Sequence, residues 1–152
     1  MSELKQWSDR LPPQSLRLIT DDKIEVPFGE LVKIDPDNLT QAYTTQAAWA
    51  GFFNYHSALA NARVEKQQRN IKRIEAEKFQ YYKGISQEGK KRPTVEDIKS
   101  AVASDKDLAT QNEILDRLKI VALNWESAKW SWHDRKDMLM QMGADSRIER
   151  QT

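Results

Sequence analysis

An all-α fold, organised as a long antiparallel helical hairpin with coiled-coil-type seams, is predicted by three features of the 152-residue sequence. The five prolines stand at positions 12, 13, 27, 36 and 93, which leaves 37–92 and 94–152 as proline-free runs too long for ordinary α/β or all-β architecture. Apolar or small side chains in both runs recur in alternating steps of four and three, the spacing that keeps one stripe of a helix against a partner. Charged residues make up 31% of the chain and hydrophobic ones 39%, which fits amphipathic helices and argues against a large private core. The length suits one compact domain or one extended helical unit.

Residues 1–37 are expected to form an extended arm or a small hairpin. Leu16-Arg17-Leu18-Ile19 and Lys23-Ile24-Glu25-Val26 alternate around Asp21-Asp22, and Leu31-Val32-Lys33-Ile34 is a third extended run. Residues 38–152 form the helical part. Asp37 or Asn38 can accept the free N–H groups of a first turn, and nothing stops that helix before Gly84, about 45 residues later. Its expected seam is Leu39, Tyr43, Ala50, Phe53, Ala60, Val64, Ile71, Ile74 and Tyr81, with Gln46, Ser57, Gln67 and Lys78 in the gaps, and Gly51 permits a close backbone approach. Thr94-Val-Glu-Asp97 has the form of a capping box opening a short helix over Val95–Ala103. Ser104-Asp105-Lys106-Asp107 then caps a last helix with Ile114, Leu118, Val121, Trp125, Ala128, Trp132, Leu139 and Met142 on its stripe. A lone hairpin leaves apolar stripe in water, so the missing surface is expected from other subunits, with Trp49, Phe53, Trp125 and Trp132 as interface anchors.

The sequence has no Cys, which removes disulfides, thiolate metal sites and cysteine nucleophiles and fits a reducing compartment. Neither a signal-peptide pattern nor a run of about 18 apolar residues occurs, so a cytoplasmic location without membrane partners is expected.

Motifs for chemistry are weak. Gly84-Ile-Ser-Gln-Glu-Gly89-Lys90 matches the start of a phosphate-binding loop, but Lys91 stands where a Ser or Thr hydroxyl is needed, and a helix precedes it where a buried strand is required. His133-Asp134 lacks further metal ligands in sequence. Asp105 and Asp107, near Glu96 and Asp97, are better explained as helix-start carboxylates than as a cation site. No supported nucleophile–base arrangement exists, so the expectation is a protein without enzymatic activity, cofactor or metal.

Charge is segregated along the chain. Residues 38–62 carry none, whereas 63–92 hold 10 bases against 4 acids: Arg63, Lys66, Arg69, Lys72, Arg73, Lys78, Lys83, Lys90, Lys91 and Arg92. Steps of three and four bring Arg63, Lys66, Arg69 and Arg73 near one face, and Tyr81-Tyr82 close the basic helix. Such a block is either a solvated helix face or a nucleic-acid contact, and oligomerisation would repeat it around a symmetry axis.

The order of these parts resembles the phage recombination mediator family of UvsY-like proteins. The resemblance runs over roughly 45–150: Trp49 at the start of a long Lys/Arg/Glu/Ala-rich helix, Tyr81-Tyr82-Lys83-Gly84 at its end, a polar loop, then Ala103-Ser104-Asp105-Lys106-Asp107-Leu108 and a final helix with Arg135 near its end. It implies a ring-like homo-oligomer that binds single-stranded DNA and helps load a RecA-like recombinase onto DNA coated by single-stranded-DNA-binding protein, in the cytoplasm of a bacterial host. The family's basic contacts fall just before the Tyr-Tyr element, which here supplies Lys78; Ala76 stands where a second base is expected, and Lys72 and Arg73 lie one turn back. The first 37 residues and Met138-Leu139-Met140-Gln141-Met142-Gly143 depart from the family pattern. Two other readings fit the residues: a helical phage structural or adaptor protein without DNA-binding activity, and a small inhibitor acting through its tryptophan-rich helix.

Overall fold

The computed structural model describes residues 13–85, 92–149 and 151. They are mostly helical: a 3-10 turn at Pro13–Ser15, β1 Leu18–Ile19, β2 Glu25–Val26, α1 Phe28–Leu31, α2 Leu39–Ile85, α3 Val95–Ala103 and α4 Lys106–Glu149. The chain divides into two compact units, one of Met1–Ala60 with Ile120–Thr152 and the other of Asn61–Lys119. Each contains a stretch of α2 packed antiparallel on a stretch of α4.

In the first unit, β1 and β2 form the expected hairpin, with Leu18 opposite Val26 and Ile19 opposite Glu25. Period-2 alternation turns Leu18 and Val26 inward, where both are buried. The turn is closed by the Lys23 amide donating to the Thr20 carbonyl at 3.0 Å, with Lys23 itself in the left-handed region at φ 64°. The third extended run does not form a strand. The amides of Glu30 and Leu31 donate to the Pro27 carbonyl and that of Val32 to Phe28, winding Phe28–Leu31 into a helical turn. That turn buries Phe28 edge-on against Phe53, 5.1 Å between centroids, and beside Trp132 at 6.3 Å. The N-terminal segment of the same chain therefore covers apolar surface that the two long helices leave open.

Asn38 opens α2, its Oδ1 accepting from the Gln41 amide at 3.3 Å. The buried or half-buried stripe then steps 46, 50, 53, 57, 60, 64, 67, 71, 74, 78 and 82. Its last step is a four where the seven-residue repeat requires a three, so Tyr82 turns inward and Tyr81, expected on the seam, is 59% exposed. Gly51 meets nothing within 4 Å; the close approach lies instead at Gly143, where a Cβ would stand 2.6 Å from Tyr43 Oη. The space allows the Tyr43 hydroxyl to donate to the Leu139 carbonyl at 2.7 Å.

On α4 the stripe runs 108, 111, 115, 118, 122, 125, 128, 132, 135 and 139. Two consecutive steps of three, at 122–125–128, shift its phase by one residue. Ile114 and Val121 consequently face solvent, while Leu115 and Ala122 occupy the inner positions. Trp125 is fixed at the shift by stacking on His56, 4.5 Å and 18°, and by Phe52 at 5.9 Å. In the second unit Leu115 joins Ile71 and Leu108 in a small aliphatic core flanked by Val64, Ile74 and Val102. Among the described residues no helix is long and apolar enough to cross a membrane.

Candidate nucleic-acid interface

The basic residues of α2 separate into two sets. Lys66, Arg69, Lys72 and Arg73 stand on the side of the helix opposite its seam, and all four are exposed. Arg69 lies 3.9 Å from Glu65, and Arg73 is held by Glu77 and, at 2.9 Å, by Asn70 Oδ1. These are exposed one-turn pairs, each worth about 0–1 kcal/mol and readily exchanged for another anion. Lys66 and Lys72 are within 4 Å of no carboxylate among the described residues. Lys83 and Arg92 are also exposed, whereas Lys90 and Lys91 lie outside the described residues, as does most of the Gly84–Lys90 string.

Lys78 belongs to the other set. Its side chain is only 25% exposed and reaches Asp107 at 2.7 Å and Asp105 at 3.2 Å. The Asp107 hydrogen bond, followed by that to Asp105, raises its pKa well above the ordinary lysine value. Tyr82 donates to Asp105 Oδ2 at 2.8 Å, which pushes the phenol pKa up and draws the carboxyl pKa down. The other oxygen of Asp105 caps α4, accepting from the amides of Asp107 at 3.0 Å and Leu108 at 3.2 Å. The position of Lys78 and Tyr82 gives them an internal task, closing α2 onto the start of α4, so Tyr81 is the aromatic ring this helix end presents to solvent. It meets Tyr82 at 5.3 Å and 74°.

The expected interface anchors lie in the first unit. Phe53 is 0%, Trp125 3% and Trp132 2% exposed within the single chain, and Trp49 is half-buried between Phe52 and Phe53. This corrects the expectation for Phe53, Trp125 and Trp132, which Phe28, Phe52, His56 and one another already cover; Trp49 keeps part of its ring exposed. Arg135, 3% exposed, is the functional-looking group whose role the sequence left unassigned. It donates to the carbonyls of Val32, Ala42 and Lys33 and, at 2.8 Å, to Gln46 Oε1, and lies 4.6 Å from the Trp132 ring centroid. Desolvation lowers its pKa, and carbonyl dipoles balance the charge. The signal was its stripe position, three after Trp132 and four before Leu139.

His133 Nδ1 lies 3.9 Å from Asp137 on an exposed face, and no group of three or more metal-ligating side chains occurs among the described residues. Comparison with known proteins finds no matching family model, no matching curated protein and no matching solved structure.

Proposed function

We propose that this protein is a single-stranded-DNA-binding recombination mediator, acting without catalysis as a ring-like homo-oligomer that helps load a RecA-like recombinase onto DNA coated by single-stranded-DNA-binding protein. The observation that carries this reading is the exposed cationic face of α2: Lys66 and Lys72 without carboxylate partners among the described residues, and Arg69 and Arg73 in weak surface pairs, with the Tyr81 ring at the helix end. Phosphates displacing weakly held partners and counterions gain affinity collectively, and an oligomer multiplies the face. Exposed Tyr55, Ile120, Met138 and Ile148 favour self-association in place of Trp125 and Trp132, which are buried within the chain.

The test is fluorescence anisotropy of a labelled single strand across salt concentrations, with light scattering for mass. Log K should fall against log salt by about 0.7 per contacted phosphate. Replacing Lys66, Arg69, Lys72 and Arg73 together with Ala should weaken binding across sequences and flatten that slope. An intact oligomer with unchanged affinity and slope would transfer the protein to the structural or adaptor reading, which the internal use of Lys78 and Tyr82 favours.

A further inference from the structure

A second cationic and aromatic feature lies in the other unit, away from the basic block in sequence and built differently. Gln46 and Asn54 of α2, with Lys129, Trp130, His133 and Lys136 of α4, line a groove of about 350 Å³, within the range of small-ligand clefts. Lys129 and Lys136 are seven apart with His133 between them, so helical periodicity sets all three on one side. Lys129 Nζ stands 4.9 Å from the Trp130 ring centroid, and the Trp130 and His133 rings are 5.9 Å apart at 56°.

Among the described residues no carboxylate lines this groove, and neither lysine is within 4 Å of one. Its floor is fixed. Gln46 Nε2 donates to the Trp132 carbonyl at 2.7 Å, Trp132 Nε1 donates to the Gln46 carbonyl at 3.0 Å, and Arg135 holds Gln46 Oε1. Rigid floor, aromatic wall, cations at both ends of one helix face and the Asn54 amide at the rim together match a flat ring that carries an anion. A ring bearing an anion matches both the aromatic wall and the lysines, whereas a purely apolar ligand would desolvate two lysines without a partner.

We infer that this groove takes one nucleotide unit of a bound single strand, its base against Trp130 and its phosphate between Lys129 and Lys136. The inference rests on the single-strand-binding reading above and adds a second, base-contacting site to it. Base–aromatic stacking of this kind tolerates any sequence because every base has a π-face.

The experiment titrates the full chain with a labelled oligothymidylate and, separately, with labelled thymidine monophosphate. Trp130→Ala should weaken strand binding roughly 5- to 100-fold with little change in salt slope, and Trp130→Phe should restore most of it. Lys129→Ala with Lys136→Ala should lower the slope by about 0.7 for the lost phosphate. If these variants fold and bind the strand like the parent while the α2 quadruple variant is weakened, the groove is no strand contact and the inference falls with the single-strand reading intact. Loss of mononucleotide binding alone, with strand binding unchanged, also overturns it. A parent protein that binds no strand removes both.

Discussion

The two units use the same stepping of three and four residues and hold their helices together by different means. In the first, Phe28, Trp49, Phe52, Phe53, Trp125 and Trp132 interlock, and a buried Arg135 ties α4 to α2 and to the chain around Val32. In the second, a thin aliphatic core is supplemented by polar bonds: Gln67 Nε2 to the Gln111 carbonyl and side chain at 3.0 and 2.9 Å, and Asp105 joining Tyr82, Lys78 and the α4 amides. The contrast teaches that a sparse seam can be secured either by ring area or by directional bonds. Along α2, only the stretch in the second unit carries charge on its opposite face.

The largest effect should come from Trp132→Ala, which removes the ring shared by Phe28, Phe53 and Arg135. Urea unfolding followed by circular dichroism should show a loss of about 3–5 kcal/mol. Ile71→Ala should cost less, roughly 2 kcal/mol, because its surroundings are thinner. Equal losses at the two positions would break the comparison.

Next comes Asp105→Asn, which weakens the attraction for Lys78 and the hydrogen bond from Tyr82 and should lower the midpoint of thermal unfolding by several degrees. The pH dependence sharpens the point. The Asp105 pKa is depressed, by Tyr82 first, so its stabilisation is complete above the ordinary carboxyl value of 3.8 and is lost as pH falls through the lower folded value. Lys78 and Tyr82 are raised above 10.5 and 10.0, so their contributions hold below those values and are lost as pH climbs through the higher folded ones. The parent should therefore show a plateau between these limits, and Asp105→Asn should flatten its acid edge. An unaltered acid edge in the variant would remove Asp105 from the account.

The smallest effect belongs to Gly143→Ala. The new methyl displaces Tyr43 Oη from Leu139, losing about 1 kcal/mol of hydrogen bond, while alanine regains about 1 kcal/mol of helix propensity. Stability should change by less than about 0.5 kcal/mol, whereas in a Tyr43→Phe background the same change should stabilise by about 1 kcal/mol. Identical effects in both backgrounds would show that the two residues are not coupled.

Much of this architecture was legible because its signals are local. Asn38, the Thr94–Asp97 capping box, in which Thr94 Oγ1 accepts the Asp97 amide at 3.2 Å, and Asp105 all act within three residues of themselves. The hairpin followed from strict alternation around Asp21-Asp22. What a repeat count could not reveal is where the repeat slips: one residue of phase at Trp125 exchanges Ile114 and Val121 for Leu115 and Ala122, and one at Lys78 exchanges Tyr81 for Tyr82. Partners distant in sequence were equally hidden. Lys78, a polar residue in a gap of the seam, looked available to DNA until Asp107, 29 residues on, was beside it, and the Leu31–Ile34 run looked extended until Phe28 had a ring to pack against.

The polar closure in the second unit has a kinetic consequence. Tyr82 and Asp105 are 23 residues apart, while Arg135 reaches across 93 residues to Ala42 and 103 to Val32. By the (3/2)RT ln n rule, closing the widest of these loops costs about 1.3 kcal/mol more than closing the narrowest. Contacts of short separation form first in a folding chain. The Asn61–Lys119 stretch is thus placed to gain tertiary bonds before the chain ends meet, and docking of the N-terminal hairpin waits until Phe53 and Trp132 together offer Phe28 a place to bind. A truncation that spares 61–119 leaves the early step intact, whereas a backbone cut between Tyr82 and Asp105 makes the Tyr82–Asp105 and Arg135–Ala42 closures bimolecular.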